Sequence, residues 1–209
     1  MKGLLFITHQ TERYGYLQSA ELALQGGCRQ IQLRMKQASP AEVEALARQL
    51  KRRCDACNAS LYIDDHVDIC FNVKAAGVHL GKNDMPPSEA RRILGEGFII
   101  GGTADTFERV LEMQRQGVDY IGLGPFRFTE TKKNLSPVLG LEGYNEIIRL
   151  CRNNNIDIPI LAIGGITPDD IPAIMRTGVA GIALSSAILR AADPVEATRR
   201  INDLTNTTI

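Results

Sequence analysis

Apolar residues in this chain gather into eight short runs, at 4–8, 30–34, 61–65, 77–80, 98–102, 120–124, 160–164 and 181–185. Continuous apolar runs of this length are what a parallel strand covered on both faces requires, whereas a half-exposed strand would alternate. Each run ends in charged, hydroxyl or glycine residues, and most are separated by a stretch long enough for a helix. Strands alternating with helices read as βα units, and eight such units predict a closed (βα)8 TIM barrel. A barrel of this kind gathers polar residues from its strand ends at one mouth, although they lie far apart in sequence.

Several helices are marked by their ends. Ser39-Pro40-Ala41-Glu42 combines an N-cap hydroxyl, proline at the first helical position and an acid in the first turn. Val43, Leu46, Ala47 and Leu50 follow at helical spacing. Pro87-Ser88-Glu89-Ala90 opens a short helix that stops near Gly95, and Thr106 caps one that Gly117 closes. Thr167-Pro168-Asp169-Asp170 starts another, ending near Gly178, and Asp193-Pro194 opens the last, through Leu204. Residues 128–141 show no clear periodicity; a loop longer than about 12 residues in a compact domain is usually functional or disordered, and the Thr-Glu-Thr-Lys-Lys content favours function.

With 209 residues, 44% of them hydrophobic, and no composition break, the chain reads as a single barrel domain over 1–209. Basic and acidic residues balance at 24 each, so no net field draws the chain to nucleic acid or to an anionic membrane. Any anion must be held by locally placed groups. The first apolar stretch is too short for a signal peptide or a membrane span. Five cysteines without secreted-type spacing point to a reducing, cytoplasmic setting. Cys54 and Cys57 have CxxC spacing, but no second pair or suitably spaced histidines accompany them, so they read as packing residues.

Gln32, Arg34 and Lys36 alternate along the second strand and share one side as it passes from barrel interior to rim. Two cations beside an amide suit a polyphosphate on a polar ring, although an exposed strand-end charge pair fits these residues equally well. Asp64 and Asp65 end the third strand, and Asp84 follows the fourth. Neighbouring strand tops bring Asp65 and Asp84 together, with Asp64 facing the other way or inward. Two carboxylates with substrate phosphate oxygens suit Mg²⁺; helix capping by Asp65 and a turn at Asn83-Asp84 is the plainer alternative. His66 and His79 both read as structural.

Thr103 closes the fifth strand beside Gly101-Gly102, and the sixth leads into Thr129-Glu130-Thr131-Lys132-Lys133. Gly164-Gly165 after the seventh strand and Ser185-Ser186 after the eighth form the most specific pattern. Barrels of this kind commonly hold phosphate between these two loops, on glycine N–H groups and a helix N-terminus. Two phosphate grips on one mouth, one cationic and one rich in amides and hydroxyls, imply a transfer between two substrates that expels pyrophosphate.

Taken in order, the segments 32–36, 77–84, 119–125, 129–133 and 162–166 closely resemble the thiamine-phosphate synthase family, over nearly the whole chain. The resemblance implies a (βα)8 enzyme, a Mg²⁺-dependent transferase. Its substrates would be 4-amino-2-methyl-5-hydroxymethylpyrimidine diphosphate and 4-methyl-5-(2-phosphoethyl)thiazole or its carboxylate, its products thiamine phosphate and pyrophosphate. Its partners would be these small molecules, with no nucleic acid and no membrane; whether it forms a homo-oligomer is open. By the same resemblance Gln32 contacts the pyrimidine, while Arg34, Lys36 and Lys132 are the catalytic cations at the diphosphate. Asp65 and Asp84 would ligate Mg²⁺, and Thr103 would stand near the pyrimidine. Thr129 and Thr131 would hold the thiazole phosphate with the backbone of Gly165 and the Ser185-Ser186 turn.

Where the family has Asn-Asp, this chain has Asp64-Asp65. An amide donates to a diphosphate oxygen and an ionised carboxylate does not. Asp64, placed among the substrate-binding residues, is therefore expected to touch the diphosphate only if protonated, or else to turn toward metal or the pyrimidine amine, and Asp64→Asn to retain or raise activity. Arg127-Phe128 also replaces an apolar-proline start of the loop. Two rival readings stand beside the synthase. A thiazole tautomerase on the same barrel would need a histidine after the fifth strand, where Thr103-Ala104-Asp105-Thr106 stands. A non-catalytic phosphometabolite sensor would account for Asp64.

Overall fold

In a computed structural model, which describes residues 1–128 and 138–206, eight parallel strands close in sequence order, the last pairing with the first. They are β1 (Gly3–Ile7), β2 (Gln30–Leu33), β3 (Ser60–Asp64), β4 (Gly77–Leu80), β5 (Ile99–Ala104), β6 (Tyr120–Leu123), β7 (Ile160–Ile163) and β8 (Gly181–Leu184). Most of the predicted runs overshoot their strands by one residue. Thr8, Arg34, Asp65, Gly124, Gly164 and Ser185 belong to the loops of the mouth.

Around the barrel run α1 (Tyr16–Gln25), α2 (Pro40–Ala56), α3 (Val67–Val73), α4 (Pro87–Leu94), α5 (Phe107–Arg115), α6 (Gly140–Asn153), α7 (Ile171–Arg176), α8 (Ser186–Leu189) and α9 (Pro194–Asn206). The Ser39 hydroxyl caps α2, with Glu42 bonding back to complete a capping box, and Thr106 accepts from the Arg109 amide at the head of α5. The segment predicted to open a helix at Thr167 begins instead as a 3₁₀ turn, Pro168–Asp170, before α7. Helix α6 takes in Gly140 and Leu141 from the stretch predicted as loop.

Strand alternation sorts the core into two layers. Leu4, Phe6, Ile31, Leu33, Ile63, Val78 and Leu80 face outward against the helices. Burial of each such side chain stabilises the fold by about 1.5–3 kcal/mol. Leu5, Tyr62, Tyr120, Leu161 and Ala183 fill the barrel itself. The inward parity that places these residues also carries Gln32, Asp64, His79, Thr103 and Gly122 toward the mouth. Gly181 makes the closing contact tight: a Cβ there would lie 2.1 Å from the Gly3 carbonyl oxygen. All five cysteines are unpaired, and burial pushes the Cys54 thiol up to about 12, as suits a packing residue. No helix among the described residues is long and apolar enough to cross a membrane.

Candidate active site

At one side of the mouth, β2 runs on into Arg34 and Lys36. Thr8 pins this extension from β1: its hydroxyl oxygen accepts from the Arg34 amide at 3.0 Å, and its own amide donates to the Gln32 carbonyl at 2.9 Å. Asp64, only 6% exposed, sits among the three side chains of that strand. Its Oδ1 accepts from Gln32 Nε2 at 2.6 Å. Its Oδ2 lies 3.4 Å from Arg34 Nε and 3.2 Å from Lys36 Nζ, neither aligned as a hydrogen bond. Because a carboxylate only accepts, the bond to Oδ1 fixes the orientation of the Gln32 amide and leaves Oε1 for another donor.

Lys36 also bonds Asp65. Burial alone would lower the lysine pKa, but the charges of Asp64 and Asp65, with the hydrogen bond to Asp65, outweigh it and raise the value. Asp65 has left-handed backbone, φ +67°, directly after β3. Asp84 accepts from the Gly81 amide at 2.7 Å. Burial, then contact with Asp65, holds the Asp84 carboxyl above its ordinary pKa. The two carboxylates thus meet as the strand-top argument predicted, with Asp64 turned inward. Hard oxygen donors crowded against each other suit a divalent cation such as Mg²⁺. Among the described residues no third His, Cys, Asp or Glu joins them, so the remaining ligands would be substrate oxygens and water.

Opposite lies the loop after β7. Gly164 and Gly165 take φ of +95° and +69°, and a Cβ on Gly165 would come within 2.9 Å of the Arg127 Cβ. Arg127 donates to the Gly165 carbonyl at 2.6 Å and forks onto Asp170 at 3.0 and 2.9 Å. Tyr144, buried on α6, donates to the Leu123 carbonyl and accepts from the Ile163 amide at 3.2 Å, tying the ends of β6 and β7. Next to this loop the Ser185 hydroxyl is buried without a hydrogen-bond partner among the described residues, and Ser186 begins α8.

A cavity of about 180 Å³ joins the two sides, with Arg34, Thr103, Gly165, Ser185 and Ser186 in its wall. Beside Arg34, Lys36, Asp65 and Asp84 stand at the rim, with Gln32 and Asp64 buried beneath them. Thr129, Thr131 and Lys132 lie outside the described residues. Of three further residues that shape the site, sequence reasoning passed over Thr8 and Tyr120 and read His79 as structural. Thr8 orders the β2 end, His79 lines the cavity, and Tyr120 bonds His79 from below. The inward parity of His79 on β4, matching Asp64 on β3, was the signal available for it.

The family model for thiamine monophosphate synthase matches residues 4–188. The thiamine-phosphate synthase of Bacteroides fragilis is 64% identical over 201 residues, covering 96% of this chain and 98% of that protein. That of Flavobacterium psychrophilum is 48% identical over 86% of this chain and 87% of its own. Among solved structures, thiamine phosphate pyrophosphorylase from Pyrococcus furiosus superposes with a TM-score of 0.87 at 34% identity, covering 99% of this chain and 96% of that one.

Proposed function

The chain belongs to the thiamine monophosphate synthase family, and we propose from that premise that its barrel mouth joins the aminopyrimidine diphosphate to the thiazole phosphate. The products are thiamine phosphate and pyrophosphate. One observation carries this reading: a single cavity touches both Arg34, at the cationic rim, and Gly165, Ser185 and Ser186, at the amide- and hydroxyl-rich loops. Each grip suits a different phosphate, and a shared cavity lets the two substrates meet.

The chemistry needs no protein nucleophile. Electrons of the pyrimidine ring push out pyrophosphate, and the thiazole nitrogen captures the resulting methylene cation. The work of the protein is to place the partners in line and to stabilise charge growing on the leaving group. Arg34 and Lys36 supply that charge by exchanging Asp64 for diphosphate oxygens, with Lys132 assigned as a third cation from the 129–133 segment. Mg²⁺, held by Asp65 and Asp84, would add Lewis-acid charge on the diphosphate. Gln32 Oε1 accepts from the pyrimidine amine. Thr129, Thr131, the Gly165 backbone and the Ser185-Ser186 turn hold the thiazole phosphate. Five unpaired cysteines support a reducing, cytoplasmic compartment.

Incubation of the purified protein with both substrates and Mg²⁺ tests the reading. Pyrophosphate should appear in step with thiamine phosphate, stop on chelation and resume with added Mg²⁺. Lys132→Ala should cut turnover sharply. Tight binding of both substrates without pyrophosphate release would favour the sensor instead.

A further inference from the structure

We propose that Tyr120 and His79 are positioning residues that hold the Thr103 hydroxyl as a hydrogen-bond donor into the cavity, so that this wall selects a substrate atom bearing a lone pair. The identity of that atom rests on the function proposed above, whereas the proton arrangement stands on the fold alone.

His79 lies between the other two. Its Nδ1 is 3.1 Å from the Tyr120 hydroxyl oxygen and its Nε2 is 3.0 Å from Thr103 Oγ1. Glycines on the flanking strands make room for both rings. A Cβ on Gly101 would fall 2.2 Å from Tyr120 Cζ, and one on Gly122 would fall 3.2 Å from His79 Cε1. Tyr62 packs edge-on to Tyr120 at 6.1 Å between centroids. The phenol is fixed from three sides, and its hydroxyl can meet only what the barrel offers.

Tyr120 is fully buried, and that burial holds its phenol well above the ordinary pKa, so the hydroxyl keeps its proton. Among the described residues His79 is its hydrogen-bond partner. A buried O–H without an acceptor is a heavy cost to a marginally stable fold. Tyr120 must therefore donate, and His79 Nδ1 must be bare to accept. The neutral imidazole then carries its proton on Nε2 and donates it to Thr103 Oγ1. With that oxygen engaged as acceptor, the Thr103 proton has no inward partner among the described residues and turns to the cavity. An imidazolium, or the tautomer protonated at Nδ1, would strand the phenol proton.

A donor locked in this way recognises a bare ring nitrogen or a phosphate oxygen and disfavours an N–H or amino group. The rim opposite carries the reverse polarity, since Asp64 leaves Gln32 with a carbonyl oxygen to offer. A ring presenting an amino group and a separate bare nitrogen meets both.

The first test uses the free protein. Long-range ¹⁵N–¹H spectra of the imidazoles, with His79 assigned by loss of its signals in His79→Asn, should show the proton on Nε2. In Tyr120→Phe, which keeps the ring, the proton should redistribute toward Nδ1. A wild-type ring protonated at Nδ1, or at both nitrogens, overturns the proposal whatever the enzyme's activity. The second test is kinetic. Tyr120→Phe and Thr103→Val should each raise KM for the pyrimidine diphosphate by about tenfold, the scale of one lost hydrogen bond to a ligand. KM for the thiazole phosphate should hold; a rise there instead would assign the lone pair to its phosphate. The double variant should be no worse than Thr103→Val alone, and Thr103→Ser should stay near wild type. Additive losses would show that Tyr120 acts through packing and would overturn the proposal. Absence of thiamine phosphate with the Nε2 proton in place would defeat the proposed function and leave the proton arrangement standing.

Discussion

Gln32 donates its amide nitrogen to Asp64 across 2.6 Å, and this bond decides which end of the amide remains for a ligand. An asparagine at position 64 could face Gln32 with either amide atom, and a carboxylate cannot. The same carboxylate stands as resting counter-charge to Arg34 and Lys36. Asp64→Asn should keep the bond to Gln32 and release both cations from a competitor. KM for the pyrimidine diphosphate should then fall by roughly threefold, while breaking two partly solvated ion pairs costs about 1 kcal/mol. Asp64→Leu should behave oppositely, because it strands the buried Gln32 amide. Steady-state kinetics and thermal melts of the two variants separate these effects.

Asp84 combines a partly buried carboxyl with an acidic neighbour, Asp65, and both raise its pKa. A carboxylate in that position costs the folded state free energy at neutral pH. Asp84→Asn should therefore leave Tm unchanged or raise it. Turnover should drop about 100-fold if the carboxylate holds the cation that stabilises the leaving group. Calorimetry and pyrophosphate release give the two readings on one sample.

Arg127 forks onto Asp170 and lowers its carboxyl from 3.8 to about 2. A carboxylate depressed in the folded state adds stability above its ordinary pKa and loses it as pH falls through the folded value. The contribution should be complete above about pH 4 and gone below about pH 2. With the arginine half-exposed, solvent screening reduces it to about 1 kcal/mol. Arg127→Ala should remove that part of the acid-unfolding profile, measured by circular dichroism from pH 6 downward.

Tyr144 serves two strands with one hydroxyl. Tyr144→Phe keeps the ring and abandons a buried carbonyl and a buried amide. The expected loss is about 2 kcal/mol, which for a domain of this size lowers Tm by roughly 4–8 °C. Since Leu123 and Ile163 lead into the loops at the mouth, KM for the thiazole phosphate should rise as well.

The barrel was legible because β-strands buried on both faces leave uninterrupted apolar runs, and because Ser39, Pro87, Thr106 and Gly117 mark helix ends locally. Helix α1 escaped notice since it follows Gly15 with no side-chain cap, and α6 since it begins at Gly140 after an equally uncapped Leu139. At the mouth, alternation along the second strand put Gln32, Arg34 and Lys36 on one side, and the adjacency of the third and fourth strand tops put Asp65 beside Asp84. Contacts between strands were a different matter. Gln32 and Asp64 are 32 positions apart and His79 and Tyr120 are 41 apart, so their pairing appears only once the sheet has set its register.

The seam between β8 and β1 aligns Gly3 with Gly181 and runs to Phe6 opposite Leu184, with a glycine at the narrowest point. The cationic grip comes from the first half of the chain and the amide-rich grip largely from its last quarter, so the two sides of the mouth are held to one another across this seam. A single methyl there, as in Gly181→Ala, would drive the first and last strands apart at the end of the barrel away from the mouth, and the closure on which both sides rest would loosen from below.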